Sequence, residues 1–185
     1  MVEALGIPLV VIAVDVDERR RGNEGAGAYL ERVVLEKLRG ASADGRAAAT
    51  SVVLVADTIV LLGGEILGKP GDADEARWML TRLAGTTHEV RTRFALGPPR
   101  GRPMDAALHA ETVSTRVEFK SLDAREIDRY VATGEGTDKA GAYAIQGVGS
   151  FAVRRIEGSY ANVVGLPVCE VVDALYRTGF LGAFP

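Results

Sequence analysis

Hydrophobic positions recur along the chain in two periods, and the switch between them divides it into alternating strands and helices. Leu9 to Val14 is rich in β-branched residues and continues into Val16, which predicts a strand emerging into an acidic tip of Asp15, Asp17 and Glu18. A charged loop over Arg19 to Gly27 follows. From Tyr29 to Arg39 the period changes: Leu30, Val33, Val34 and Leu38 predict a helix closed by Gly40. Lys37 falls off that stripe, where a lysine is ordinarily solvated. After a small, polar connection (Ala41 to Thr50), the stretch Ser51 to Pro70 carries an apolar run broken in its middle by Asp57 and Thr58. Gly63-Gly64 marks a two-residue hairpin turn. Counting across it sets Thr58 opposite Lys69 and Asp57 opposite Pro70.

Beyond the hairpin, Asp72 and Glu75 form a capping-box-like start. Ala76, Met79, Leu80 and Leu83 supply one helix face up to a stop at Gly85, with Trp78 packing beside that stripe. His88 opens a strand with Val90, Thr92, Phe94 and Leu96 on one face and Glu89, Arg91 and Arg93 on the other. Gly97 to Pro103 is a turn-rich tip, and Thr112 to Phe119 is the return strand. Asp123 and Glu126 repeat the capping box for a helix through Tyr130 that ends near Gly134. Gly136 to Gly149 holds too many small residues for a core helix and sets Asp138, Lys139, Tyr143 and Gln146 in a flexible frame that a ligand can approach. Ser150 to Ile156 reads as a strand and Gly158 to Asn162 as a turn. Pro167 begins a last helix with Val168, Val171, Val172 and Leu175 facing inward. The interleaving predicts an α/β fold: a mixed central sheet flanked by helices, with a ligand cleft at strand ends.

Composition narrows the picture. With 185 residues, 47% of them apolar, one core and a single domain over residues 1–185 are expected. A net charge of −3 argues against a bulk electrostatic grip on nucleic acid or anionic membrane. The one cysteine, Cys169, cannot pair within the chain and reads as a small core residue on a helix face. Ala4 to Val14 lacks the positive lead-in of a signal peptide, and no run reaches spanning length, so a cytoplasmic protein is expected.

Chemistry concentrates at Asp57. A carboxylate inside an apolar run costs stability unless something partners it, although an Asp there can also serve simply to end a strand in a turn. Gly63 to Lys69 has the glycine and Gly-Lys spacing of a P-loop, but Pro70 replaces the hydroxyl residue and the intervening residues look like strand, so a P-loop is rejected. The two histidines stand in unrelated settings. What remains is a set of carboxylates (Asp15, Asp17, Glu18, Asp57) and lysines (Lys37, Lys69, Lys139). Such a set suits a hard cation and phosphoanhydride hydrolysis.

Several segments in order resemble the Maf family of nucleoside triphosphate pyrophosphatases: DVDER at Asp15, YLERVVLEK at Tyr29, ADTIV at Ala56, GEILGKP at Gly64, DADEA at Asp72, LAGTTHEVRT at Leu83, DKAGAYAIQG at Asp138 and GSYANVVGLP at Gly158. The resemblance runs from about Leu5 to Leu175. It implies a nucleotide-binding cleft, with Asp57 as the catalytic acid/base or metal-holding group. It also implies that Glu18, Lys37 and Lys69 line the same site, with Glu18 sharing a magnesium or manganese ion. Thr58, Gln146 and Lys139 become substrate-binding residues. A glutamine amide matches the O4 and N3-H edge of uracil or thymine, which implies the dTTP/UTP-cleaving branch. A nucleoside triphosphate partner and a homodimer are implied as well. The chain departs from the family at its start, where a strand and a Ser-Pro-Arg-Arg type loop are expected before Met1. That departure leaves a rival expectation of an N-terminally truncated protein that binds nucleotides or a partner with impaired catalysis.

Overall fold

A computed structural model of the chain describes residues 2–47, 52–98 and 107–182. Five strands form one sheet in the order β2-β1-β3-β4-β5, with β1 at Val53–Leu62, β2 at Glu65–Leu67, β3 at Thr87–Gly97, β4 at His109–Phe119 and β5 at Val153–Glu157. The helices are α1 (Ala26–Ala43), α2 (Ala73–Leu83), α3 (Ala124–Ala132), α4 (Tyr160–Val164) and α5 (Val168–Arg177). This is the expected α/β class, a central sheet with flanking helices.

The central hairpin forms in the register counted from its turn. Val60, Leu61 and Leu62 pair antiparallel with Leu67, Ile66 and Glu65. Gly63 and Gly64 take φ of 59° and 88°, as the tight turn between twisted strands requires. The described ladder stops at the Val60–Leu67 pair, so Lys69 lies just beyond the end of β2. β3 and β4 also run antiparallel: Leu108 N–H donates to Leu96 C=O at one end and Phe119 N–H to Thr86 C=O at the other. Apart from Gly97 and Pro98, the turn-rich tip between them lies outside the described residues.

Two compact units divide at Asp57/Thr58, Arg91/Thr92, Thr112/Val113 and Gly165/Leu166. The unit holding both termini buries Val34, Leu38 and Ala41 of α1 with Val53 and Ala95. The other buries Met79, Leu80 and Leu83 of α2 with Val60, Val90, Val117, Phe119, Ile127 and Tyr143. Its helices start as their sequences dictate. The Asp72 carboxylate accepts from Glu75 N–H, and Asp123 with Glu126 forms a complete capping box. Glu75 reaches one residue further than a capping box needs and accepts from Gly71 N–H at 2.7 Å.

Several expectations are corrected. Residues 7–16 form no strand. Val10 and Val11 are 70% and 79% exposed, because β-branched composition makes a strand only where another strand completes its hydrogen bonds. α1 does not stop at Gly40 but runs to Ala43, and a Cβ on Gly40 would stand 2.5 Å from Val14 Cγ1, so that glycine admits a passing segment. The expected turn at Gly158 to Asn162 contains the start of α4, capped by Ser159. Residues Val148–Ala152 form a 3₁₀ turn before β5, and Pro167 is the N-cap of α5 rather than its first helical residue. Cys169 is exposed, one step off the inward stripe of α5. Trp78 is also at the surface, with the Arg82 guanidinium 4.6 Å over its ring.

Candidate active site

Lys37 is the centre of the charged cluster. Its Nζ lies 2.6 Å from Asp57 Oδ1 and 2.7 Å from Glu18 Oε1, with side-chain exposures of 19%, 12% and 34% for Lys37, Asp57 and Glu18. α1 supplies the lysine, β1 the aspartate and the loop before α1 the glutamate. Burial works against the ammonium, but the hydrogen bonds it donates to Asp57 and Glu18 outweigh it, so the Lys37 pKa rises and the lysine stays charged. The solvated lysine that periodicity suggests is therefore a half-buried counter-ion. Within the acidic tip Glu18 is the member that reaches Lys37. Asp17 instead binds the Arg19 side chain and backbone, and those bonds hold its carboxyl at about 2.

The loop carrying Glu18 is fastened by α1. Arg32 donates to the carbonyls of Asp17 and Arg19, each at 3.0 Å, and its fork grips both oxygens of Glu24 at 2.9 and 3.0 Å. Tyr29 Oη donates to Glu18 C=O at 2.9 Å. Burial first, then the charges of Asp57 and Glu18, push the Tyr29 hydroxyl up to about 12, so it remains a donor. Sequence reasoning missed Arg32 and Tyr29 as contributors. The available signal was that the expected loop carries almost no apolar residues to hold itself in place.

The second unit brings Lys69 and Lys139 to one junction. Gly141 N–H donates to Gly68 C=O at 3.0 Å, tying the segment before Lys69 to the segment after Lys139. Both lysines are exposed, and Lys139 Nζ pairs with Asp138. That bond, aided by the charge of Lys69, lowers the Asp138 pKa. Gly141 has φ +71°, and a Cβ there would meet the Val60 side chain at 3.0 to 3.1 Å, so the turn lies tight against β1. Thr58 Oγ1 points to Gly165 C=O at 3.5 Å, and Gln146 is exposed on the glycine-bearing loop. The segment from Gly158 to Pro167 is scaffold. Asn162, fully buried, donates through Nδ2 to Val90 C=O and to Thr115 Oγ1, while Ser159 caps α4.

Glu18 and Asp57 bring carboxylate oxygens, donors of the kind a hard divalent cation takes, to one point that the Lys37 ammonium holds. Among the described residues no group of three or more His, Cys, Asp or Glu side chains gathers.

A family model for Maf-like protein matches residues 1–178, and the chain belongs to that family. Among relatives named dTTP/UTP pyrophosphatase, that of Geobacter sp. (strain M21) is 48% identical over 184 residues, covering 98% of this chain and 91% of the relative. That of Hahella chejuensis is 44% identical over 179 residues, covering 97% and 86%. That of Myxococcus xanthus is 48% identical over 177 residues, covering 95% and 84%.

Proposed function

We propose that this chain is a metal-dependent nucleoside triphosphate pyrophosphatase that hydrolyses dTTP and UTP, and related modified pyrimidine nucleotides, to the monophosphate and pyrophosphate. The observation that carries the proposal is the Glu18–Lys37–Asp57 cluster in a chain nearly half identical to relatives of that name. Asp57 acts as general base: it takes a proton from water as the water oxygen bonds to the α-phosphorus. The bond from that phosphorus to the bridging oxygen breaks, and pyrophosphate leaves. Lys37 holds the Asp57 carboxylate in one orientation, and Lys69 and Lys139 offer positive charge to phosphate oxygens. Glu18 and Asp57 would hold a magnesium or manganese ion, which supplies charge neutralisation for the phosphates. Thr58 and Gln146 select the base. The chain works as a single domain over residues 1–185 in the cytoplasm, a reading that rests on its length and sequence pattern, and as a homodimer, which rests on the family resemblance. Among the described residues no helix is long and apolar enough to cross a membrane.

The decisive assay is pyrophosphate release from dTTP, UTP, CTP and 7-methyl-GTP with magnesium. Turnover of the first two is expected, lost on chelation; folded protein inactive on all four would sink the proposal. Asp57→Asn should lower kcat by about 10³-fold while calorimetry still detects nucleotide binding.

A further inference from the structure

The loop that carries Gln146 is built on one carboxylate. Its residues lie between short 3₁₀ turns rather than in a ladder, so their amides need partners from elsewhere. Glu135 provides them: Oε1 accepts from Val148 N–H at 2.9 Å and Oε2 from Gly149 N–H at 2.7 Å. Tyr130, buried on α3, accepts from Ala144 N–H at 3.0 Å on the other side of Gln146. The backbone is therefore fixed two residues before Gln146 and two and three residues after it. The glycines show how close the fit is. A Cβ on Gly147, whose φ is +97°, would stand 2.1 Å from Glu135 Oε1, and one on Gly149 would stand 2.3 Å from Ala144 C=O. Burial pushes the Glu135 carboxyl up, but the amide bonds from Gly149 and Val148 and the Tyr130 hydroxyl outweigh it and hold its pKa low.

We propose that Glu135 is a positioning residue for substrate choice, fixing the backbone just after Gln146 so that its amide meets the pyrimidine edge. The inference rests on the base-selecting role of Gln146 proposed above. A glutamine at 135 has the same reach but only one acceptor oxygen, so its amide group would face an N–H donor. The loop would then sample other conformations. Because the fault lies in base recognition and not in the reacting groups, it should appear in KM and in discrimination between nucleotides.

The test compares Glu135→Gln, Gln146→Ala and the double variant on dTTP, UTP and CTP. Glu135→Gln is expected to raise KM for dTTP and UTP about tenfold, change kcat by less than about threefold, and reduce discrimination against CTP about tenfold. In the Gln146→Ala background it should add less than about twofold, since a residue acting only through Gln146 has nothing left to position. Amide exchange at Val148 and Gly149 should quicken in Glu135→Gln irrespective of activity. An equal loss of kcat on all three nucleotides with discrimination intact would overturn the inference, as would effects that multiply in the double variant. If Gln146→Ala leaves discrimination unchanged, the base-selecting role itself fails. If Gln146→Ala abolishes discrimination and Glu135→Gln does not alter it, this inference alone fails. Should Glu135→Gln not fold, Glu135→Asp, which is too short to span both amides, carries the same expectation at about threefold to fivefold.

Discussion

The Glu18 loop and the Gln146 loop solve the same problem with opposite means. Both hold an exposed or half-exposed polar side chain, Glu18 or Gln146, on a segment outside the strands. The first is held from outside by an arginine: Arg32 donates to two loop carbonyls and to Glu24, and Lys37 receives the glutamate itself. The second is held by acceptors, with Glu135 and Tyr130 collecting loop amides. A donor clamp suits a loop whose free groups are carbonyls, and an acceptor clamp suits a glycine-bearing turn whose amides point inward. In each case one ionised side chain replaces the ladder that a strand would have supplied, and its charge makes those bonds stronger than neutral ones.

Loss of the donor clamp separates the two loops most clearly. Arg32→Ala should reduce kcat on dTTP about a hundredfold, near 3 kcal/mol in the activation barrier, with a smaller change in KM, because it misplaces a group at the reacting centre. A KM effect matching that of Glu135→Gln would mean that the two loops do the same job. Next in size is an acid effect on the second unit. His88 is buried against Phe119, with its ring centroid 4.9 Å away, and its Nε2 is 2.8 Å from Tyr143 Oη; burial holds its pKa down to about 4 from 6.5. The folded form keeps the neutral ring, whereas the unfolded chain takes up a proton below pH 6.5. Its contribution is therefore full above pH 6.5 and falls away as pH drops toward 4. The loss should be roughly 2–3 kcal/mol. Urea unfolding of the parent and of His88→Gln at pH 7 and pH 4.5 isolates it, since the variant lacks this slope. Smallest is Asp123→Ala, which removes the capping box of α3, the helix that carries Tyr130. It should cost about 1 kcal/mol in urea unfolding and leave Glu18-dependent kcat unchanged.

Local chemistry made much of the fold legible in the sequence. The Gly63-Gly64 turn set the hairpin register, the Asp-x-x-Glu pairs marked the starts of α2 and α3, and period-2 burial along β3 fell on Val90, Thr92, Phe94 and Leu96. What failed needed information from elsewhere in the chain. Residues 7–16 have strand composition but no ladder, and Gly40 serves as a passage for Val14 inside a helix, which no local rule distinguishes from a stop. The candidate site was legible only in part for the same reason. Glu18, Lys37 and Asp57 come from a loop, a helix and a strand, so no spacing relates them, and resemblance to a family supplied what periodicity could not. Arg32 and Glu135 escaped notice because each bonds backbone groups, Arg32 alongside its pairing with Glu24, and such bonds leave no mark in the identities of neighbouring residues.

The bond from Gly141 N–H to Gly68 C=O has a consequence for how such a protein can change over time. Lys69 and Lys139 are separated in sequence by the whole of α2, β3, β4 and α3, yet this bond brings their neighbouring backbones together. On the role proposed above for the two lysines, lengthening the intervening connections, which hold neither partner of this bond, would leave the junction between them in place.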